Sequence, residues 1–136
     1  MFTVGTDTET SANGTTLVAY CFSAVAGFSA FGKYTGNGSS DGPMIYTGFR
    51  PRFVMAKRTD AADGWYMVDS SRNTYNVANS ALDASSSGAE FSTGDRFDFL
   101  SNGFKLKASA AGPNINGGTY IYMAFAENPF NLSRAR

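Results

Sequence analysis

Residues 13–28, NGTTLVAYCFSAVAGF, are echoed near the other end of the chain by residues 116–130, NGGTYIYMAFAENPF. In register, Asn13 matches Asn116, Gly14 matches Gly117, Thr16 matches Thr119 and Phe22 matches Phe125. Each copy opens on a turn dipeptide and continues as a strand, whose side chains alternate between two faces. Over residues 16–22 one face carries Thr16, Val18, Tyr20 and Phe22, and the other Leu17, Ala19 and Cys21. Over residues 119–125 the faces are Thr119, Ile121, Met123 and Phe125 against Tyr120, Tyr122 and Ala124. Neither copy has a polar face. Strands of this kind lie between two layers, or between a sheet and a partner subunit. Val18, Tyr20, Ile121 and Met123 are therefore expected under cover.

The segments between the two copies read as further strands. RFVMAKRT predicts a strand over residues 52–58 and GWYMVDS another over 64–70, with Asp63-Gly64 supplying the residue that tolerates a positive φ at the hairpin. RFDFL and FKLK flank the turn Ser101-Asn102-Gly103, and Lys105 and Lys107 alternate with Phe104 and Leu106 to give one wet and one dry face. A short strand is expected around residues 44–46. No segment sustains an apolar period of 3.6, and an aromatic share of 15% together with 15 Gly favours pleated strands and tight turns. Residues 70–95 have little periodicity and predict one long irregular surface loop, pinned by Tyr75, Val77 and Leu82.

These signals predict an all-β domain over residues 1–136, an antiparallel β-sandwich of roughly seven to nine strands built from hairpins. FTVGTDTETSANGTTLVAYCF matches FKLKASAAGPNINGGTYIYMAF as strand, turn, strand. Residues 1–31 then form a partial repeat packed into the same domain as a complete unit over 32–136, about one and a third repeats in all. An incomplete leading unit leaves an open sheet edge that must be paired.

Composition excludes much chemistry. Histidine is absent, which removes His-based triads, His-ligated metals and His proton shuttles. With 11 basic and 11 acidic residues there is no whole-domain field to draw in nucleic acid or an anionic membrane. The start of the chain, FTVGTDTETS, lacks the pattern of a secretory signal, and the apolar-leaning stretch 17–31 is too broken to span a bilayer. Cys21 fits a buried small hydrophobe better than a reactive thiol.

Several local groupings could carry function. GNGSSDG resembles a phosphate cradle only in glycine content, with no following Lys-Ser/Thr pair, and reads as a turn cluster. Asp60 with Asp63, and Asp95 with Asp98, offer oxygen ligands without a calcium-loop spacing. Asp69, Glu90 and Glu127 are not held in any local acid pair of the kind that hydrolyses sugars. No catalytic residue, metal ligand or cofactor is assigned. Trp65 and Tyr66 on a hairpin, with Tyr75, could stack on a glycan or a partner, although aromatics fill cores and seams equally well. Arg50, Arg52 and Arg58, near Lys57, are candidates for electrostatic contact with an acidic neighbour. Leu17, Ala19, Tyr120 and Tyr122 are the candidates for a subunit seam.

Longer phrases carry a resemblance. YTGNGSSDGPMIYTGFRPRFVMAKRTD, DFLSNGFKL and GGTYIYMAFAENPF running into LSRAR are similar to the C-terminal region of phage structural proteins often labelled tail fibre or tail proteins. There, such units occur in tandem, sometimes behind a concanavalin-like lectin domain. The resemblance implies a non-enzymatic virion structural protein on the surface of the phage tail or capsid, as a tail fibre or a capsid decoration. Its partners would be other virion proteins and further copies of itself, a trimer being one arrangement, with no nucleic acid or membrane partner. The competing expectation is a receptor-recognition module that contacts host glycans.

Overall fold

The structure, a computed structural model, describes residues 2–92, 97–108 and 112–129. It is an antiparallel β-sandwich of a five-stranded and a three-stranded sheet. The strands are β1 (Ser29–Thr35), β2 (Met44–Tyr46), β3 (Pro51–Arg58), β4 (Trp65–Asp69), β5 (Leu82–Asp83), β6 (Phe97–Leu100), β7 (Gly103–Leu106) and β8 (Thr119–Ala126). The large sheet runs β1-β8-β3-β4-β5 and the small one β2-β7-β6. The last strand thus enters the middle of the large sheet, between the first and the third.

Alternation decides what meets inside. Tyr34, Val54, Ala56, Val68, Tyr120 and Ala124 from the large sheet are buried against Ile45, Phe97, Phe99, Phe104 and Leu106 from the small one. Tyr34 and Tyr120 stack with ring centroids 4.9 Å apart and planes 6° from parallel. Phe104 sits edge-on to Tyr122 at 5.4 Å and to Tyr34 at 6.5 Å, and touches Phe97 at 6.0 Å. Such aromatic pairs add to the area they bury. Lys105 and Lys107 stay at the boundary with water while Phe104 and Leu106 are fully buried, as their alternation requires.

One end of the sandwich is closed by the turn Gly112–Asn114. Tyr34 Oη donates to the Pro113 carbonyl at 2.8 Å, and Tyr120 Oη donates to the Gly112 carbonyl at 2.8 Å while accepting from the Ile115 amide at 3.0 Å. The backbone of GNGSSDG is absorbed here too, since the Asn37 and Gly38 amides bond to Asn114. That segment is a structural turn.

Three expectations need correction. Residues 16–22 form no strand; residues 29–31 of the leading segment belong to β1, while residues 2–27, exposed apart from half-buried Ala12, with Val18 at 76% and Tyr20 at 83%, make an arm outside the sandwich. Its strand pattern has no partner in the described chain. Cys21 is exposed with it. In the segment 70–92, Tyr75 and Val77 are exposed and only Leu82 is half-buried; the pins are Ala78 and Ala81, both fully buried, which bridge Phe97 and Phe91. Residues 93–95 of the expected loop lie outside the described residues.

Gly64 does not serve the purpose expected of it, and Gly103 serves a packing role. Neither has a positive φ. A Cβ on Gly103 would stand 2.1 Å from the Ile45 carbonyl oxygen, and one on Gly64 2.7 Å from the Asp83 carboxylate. Gly103 is needed because the backbone of β2 passes close by, whereas at Gly64 the neighbour is a side-chain carboxylate.

Candidate functional site

The outer face of the large sheet is built in rows by its register. Phe31, Met123, Met55 and Met67 lie side by side across β1, β8, β3 and β4, and the next row is Lys33, Ile121, Lys57 and Trp65. A third row holds Phe125 and Phe53, paired with each other. An open groove of about 260 Å³ crosses this face, lined by Phe31, Met55, Lys57, Trp65, Ile121 and Met123 among others. Ile121 is 45% exposed. Methionine side chains are flexible and polarisable, so such a face adapts to whatever apolar surface covers it. Lys57 stands at the groove edge, its Nζ 6.0 Å from the Trp65 ring centroid and donating to the Asp63 carbonyl.

This is the opposite face of β8 from the one expected to form a seam. Tyr120 is fully buried, and Tyr122 is half-buried between the sheets. The small sheet covers that side. The open side carries Ile121, Met123 and Phe125. The other two expected seam residues, Leu17 and Ala19, are exposed on the arm. Along that arm Phe22 alone is described in ring contacts, stacking on Phe31 at 6.0 Å and meeting Phe125 edge-on at 5.9 Å.

The three aromatic candidates do not meet. Trp65 lines the outer groove. Tyr66, the next residue on the same strand, faces the other way, its ring against Phe91 and its hydroxyl donating to Asp63 Oδ1 at 2.7 Å. Tyr75 is 85% exposed on the long loop. They form no common platform for a sugar ring.

The arginine candidates are already engaged within the chain. Arg50 Nε donates to Glu127 Oε2 at 2.8 Å and its Nη1 to the Phe99 carbonyl at 2.8 Å, so it clamps β6 to the end of β8. Arg52 Nη1 lies 3.7 Å from the same carboxylate, and Ser70 Oγ donates to it at 3.2 Å. Arg58 Nε binds Asp60 at 2.8 Å, and that contact holds the Asp60 carboxyl below its usual range. Among the carboxylate candidates, Asp69 and Glu90 both bind Arg72. Asp95 lies outside the described residues, and Asp98 sits opposite Lys105 in the small sheet. No group of three or more Cys, Asp or Glu is placed to hold a metal ion among the described residues. No helix among them is long and apolar enough to cross a membrane.

Two predictions test these contacts. Glu127→Ala removes the acceptor shared by Arg50, Arg52 and Ser70. Because both side chains of the Arg50–Glu127 pair are partly solvated, the expected loss is only about 1 kcal/mol, smaller at high salt. Urea unfolding at two salt concentrations measures it; a loss independent of salt counts against an ionic clamp.

The second concerns pH. Burial pushes the Tyr120 and Tyr122 phenols above their ordinary values. The fold therefore favours the neutral phenol. A folded pKa raised above an unfolded value of about 10 gives stability that is complete below about pH 10 and is lost as pH rises through the folded values. Thermal midpoints should hold steady from neutrality and then fall in strong alkali. A midpoint unchanged at about pH 11.5 would contradict the burial of these rings.

No curated protein and no solved structure matches the chain. The model of a family described as a domain of unknown function, DUF7483, matches residues 1–129, and the chain therefore belongs to that family.

Proposed function

We propose that the protein is a non-enzymatic structural subunit of a phage particle, in the tail fibre or a capsid decoration, that works through contacts with other virion subunits. The observation that carries this reading is the outer face of the five-stranded sheet, where a row of three methionines and Phe31 crosses a layer that the sandwich itself does not cover. Continuous apolar surface of this kind marks an interaction site rather than a face left to water. The likeness of residues 34–60, 98–106 and 117–136 to phage tail proteins supplies the particle.

Labelling intact phage with an antibody raised against residues 32–136, followed by electron microscopy, tests the reading. Regular labelling at the tail or on the head supports it. Purified particles that carry no label and lack the chain by mass spectrometry would end it.

A second reading has one observation behind it: Trp65 at the groove edge beside Lys57 is the one aromatic of the three candidates that opens onto a concavity. A glycan-binding module would use it as the stacking face. Binding to a glycan array that is lost in Trp65→Ala, with the fold intact, selects this reading over assembly.

A further inference from the structure

The arm and the open face are each incomplete. Seven of the twelve large hydrophobic residues described as exposed lie on the arm: Phe2, Val4, Leu17, Val18, Tyr20, Phe22 and Val25. No charged residue falls between Glu9 and Lys33. An exposed segment without charge is a poor match to water and a ready partner for a sheet.

Its pattern says what kind of surface it fits. In the register of the internal match, Val18, Tyr20 and Phe22 correspond to Ile121, Met123 and Phe125, the outer-face residues of β8. In β8 those side chains belong to an apolar layer shared with both neighbouring strands. On the arm, Val18 and Tyr20 stand exposed without such neighbours.

The geometry at its root shows which face it is directed to. Val25 bridges Ser29 through a tight turn in which Gly27 has φ +74°, and Ser29 Oγ donates to the Ser23 carbonyl at 2.9 Å. Phe22 then seats on Phe31 and Phe125 of the outer face. Beyond it, Val18 and Tyr20 are solvent-exposed and the groove remains open. Beyond Phe22, the arm therefore leaves the groove of its own sheet uncovered.

We propose that residues 16–22 dock on the outer-face groove of a second copy of this chain, with Val18 and Tyr20 against Met55, Ile121 and Met123, and that the exchange is reciprocal. A two-fold arrangement meets the need of both surfaces, because each copy offers one arm and one groove. The inference deepens the assembly reading and rests on it by naming the partner. The two remain separable, because particle labelling reports on the virion and the measurement below on the isolated protein.

The test uses the full 136-residue chain. Light scattering after size exclusion should give a dimer at micromolar concentration. Tyr20→Asp places a charge in the docked arm, and Met55→Asp places one in the groove; each should weaken the dimer about a hundredfold, the scale of burying an unpaired charge. Tyr20→Asp should leave the far-ultraviolet spectrum and melting of the monomer unchanged, since this residue lies outside the sandwich. The sole cysteine, Cys21, lies on the other face of the arm from Val18 and Tyr20, so the readout of partner identity moves the thiol to the docked face. In the triple variant Cys21→Ser, Tyr20→Cys, Ile121→Cys, mild oxidation with copper phenanthroline should give covalent dimers on a non-reducing gel. A monomeric wild type at about a hundred times that concentration overturns the proposal. So does a dimer indifferent to both charge substitutions, or an oxidised triple variant that remains one chain with no free thiol, which would place the arm on its own groove.

Discussion

Replacing Phe104 by alanine should cost the sandwich about 3–5 kcal/mol, the range measured when a fully buried phenylalanine is cut back to a methyl group. Phe104 is fully buried on the inner face of the small sheet, and its ring touches Tyr34 and Tyr122 from the large sheet and Phe97 from its own. The loss has two parts: the transfer energy of the ring and the cavity left between layers that cannot close on one another. For a domain of this size the melting temperature should fall by on the order of 10 °C. Phe104→Leu keeps most of the volume and should lose considerably less. Urea titrations of both variants check the ordering. If Phe104→Ala unfolds within about 1 kcal/mol of the wild type, the two sheets do not share the core described here.

The same core shows why much of this fold is legible in the sequence. Strands β6 and β7 alternate apolar with polar residues, and β3, β4 and β8 are short runs rich in aromatic, Val, Ile and Met residues bounded by turn signals, patterns with few other structural readings. The choice of face within β8 is not legible. Tyr120, Tyr122 and Ala124 look no more apolar than Ile121, Met123 and Phe125. The tyrosines go inward because they have partners there, the Tyr120 hydroxyl bonding to Gly112 and Ile115 and the Tyr122 ring meeting Phe104. That partnership exists only after folding.

Strand β1 is invisible for a related reason. Its sequence, SAFGKYT, has no run of β-branched residues, and Gly32 weakens the pattern. A Cβ on Gly32 would stand 2.9 Å from the Tyr122 ring. The small residue answers a neighbour 90 positions away in the chain, which no local window contains. Ala78 and Ala81 escape notice similarly: they hold the long loop because they are small enough to be fully buried, whereas Tyr75 and Val77 look like anchors and lie exposed. The arm is the converse case. Its strand pattern over residues 16–22 is plain to read, and what is missing is a sheet in the same chain to receive it. The groove is not legible in the sequence, because a groove needs β1, β3 and β4 placed beside β8.

Asn114→Ala should be the most damaging polar substitution, at about 3 kcal/mol, because it leaves the buried Ala108 carbonyl and the partly buried Asn37 amide and Ser39 carbonyl without a partner at once. Asn114 is completely buried. Its Oδ1 accepts from the Asn37 amide at 2.9 Å, and its Nδ2 donates to the Ser39 and Ala108 carbonyls, both at 2.8 Å, with Asn37 Oδ1 at 3.1 Å. One side chain thus joins the loop after β1, the exit from β7 and the turn that closes the sandwich. Alanine fills none of these roles. Asn114→Asp sharpens the test. It is nearly the same size and keeps an acceptor for the Asn37 amide, but an ionised carboxylate would face the Ser39 and Ala108 carbonyls with no hydrogen to offer. Burial and those carbonyls would raise its folded pKa above the unfolded value of about 3.9. The sign follows: the protonated acid is the form the fold tolerates, so Asn114→Asp should be weakest at neutral pH and regain stability relative to wild type as pH falls toward 4. Unfolding of the three proteins at pH 7 and pH 4.5 measures this. An Asn114→Asp variant as stable as wild type at pH 7 would mean that the amide donates to neither carbonyl and that this end of the sandwich is open to water.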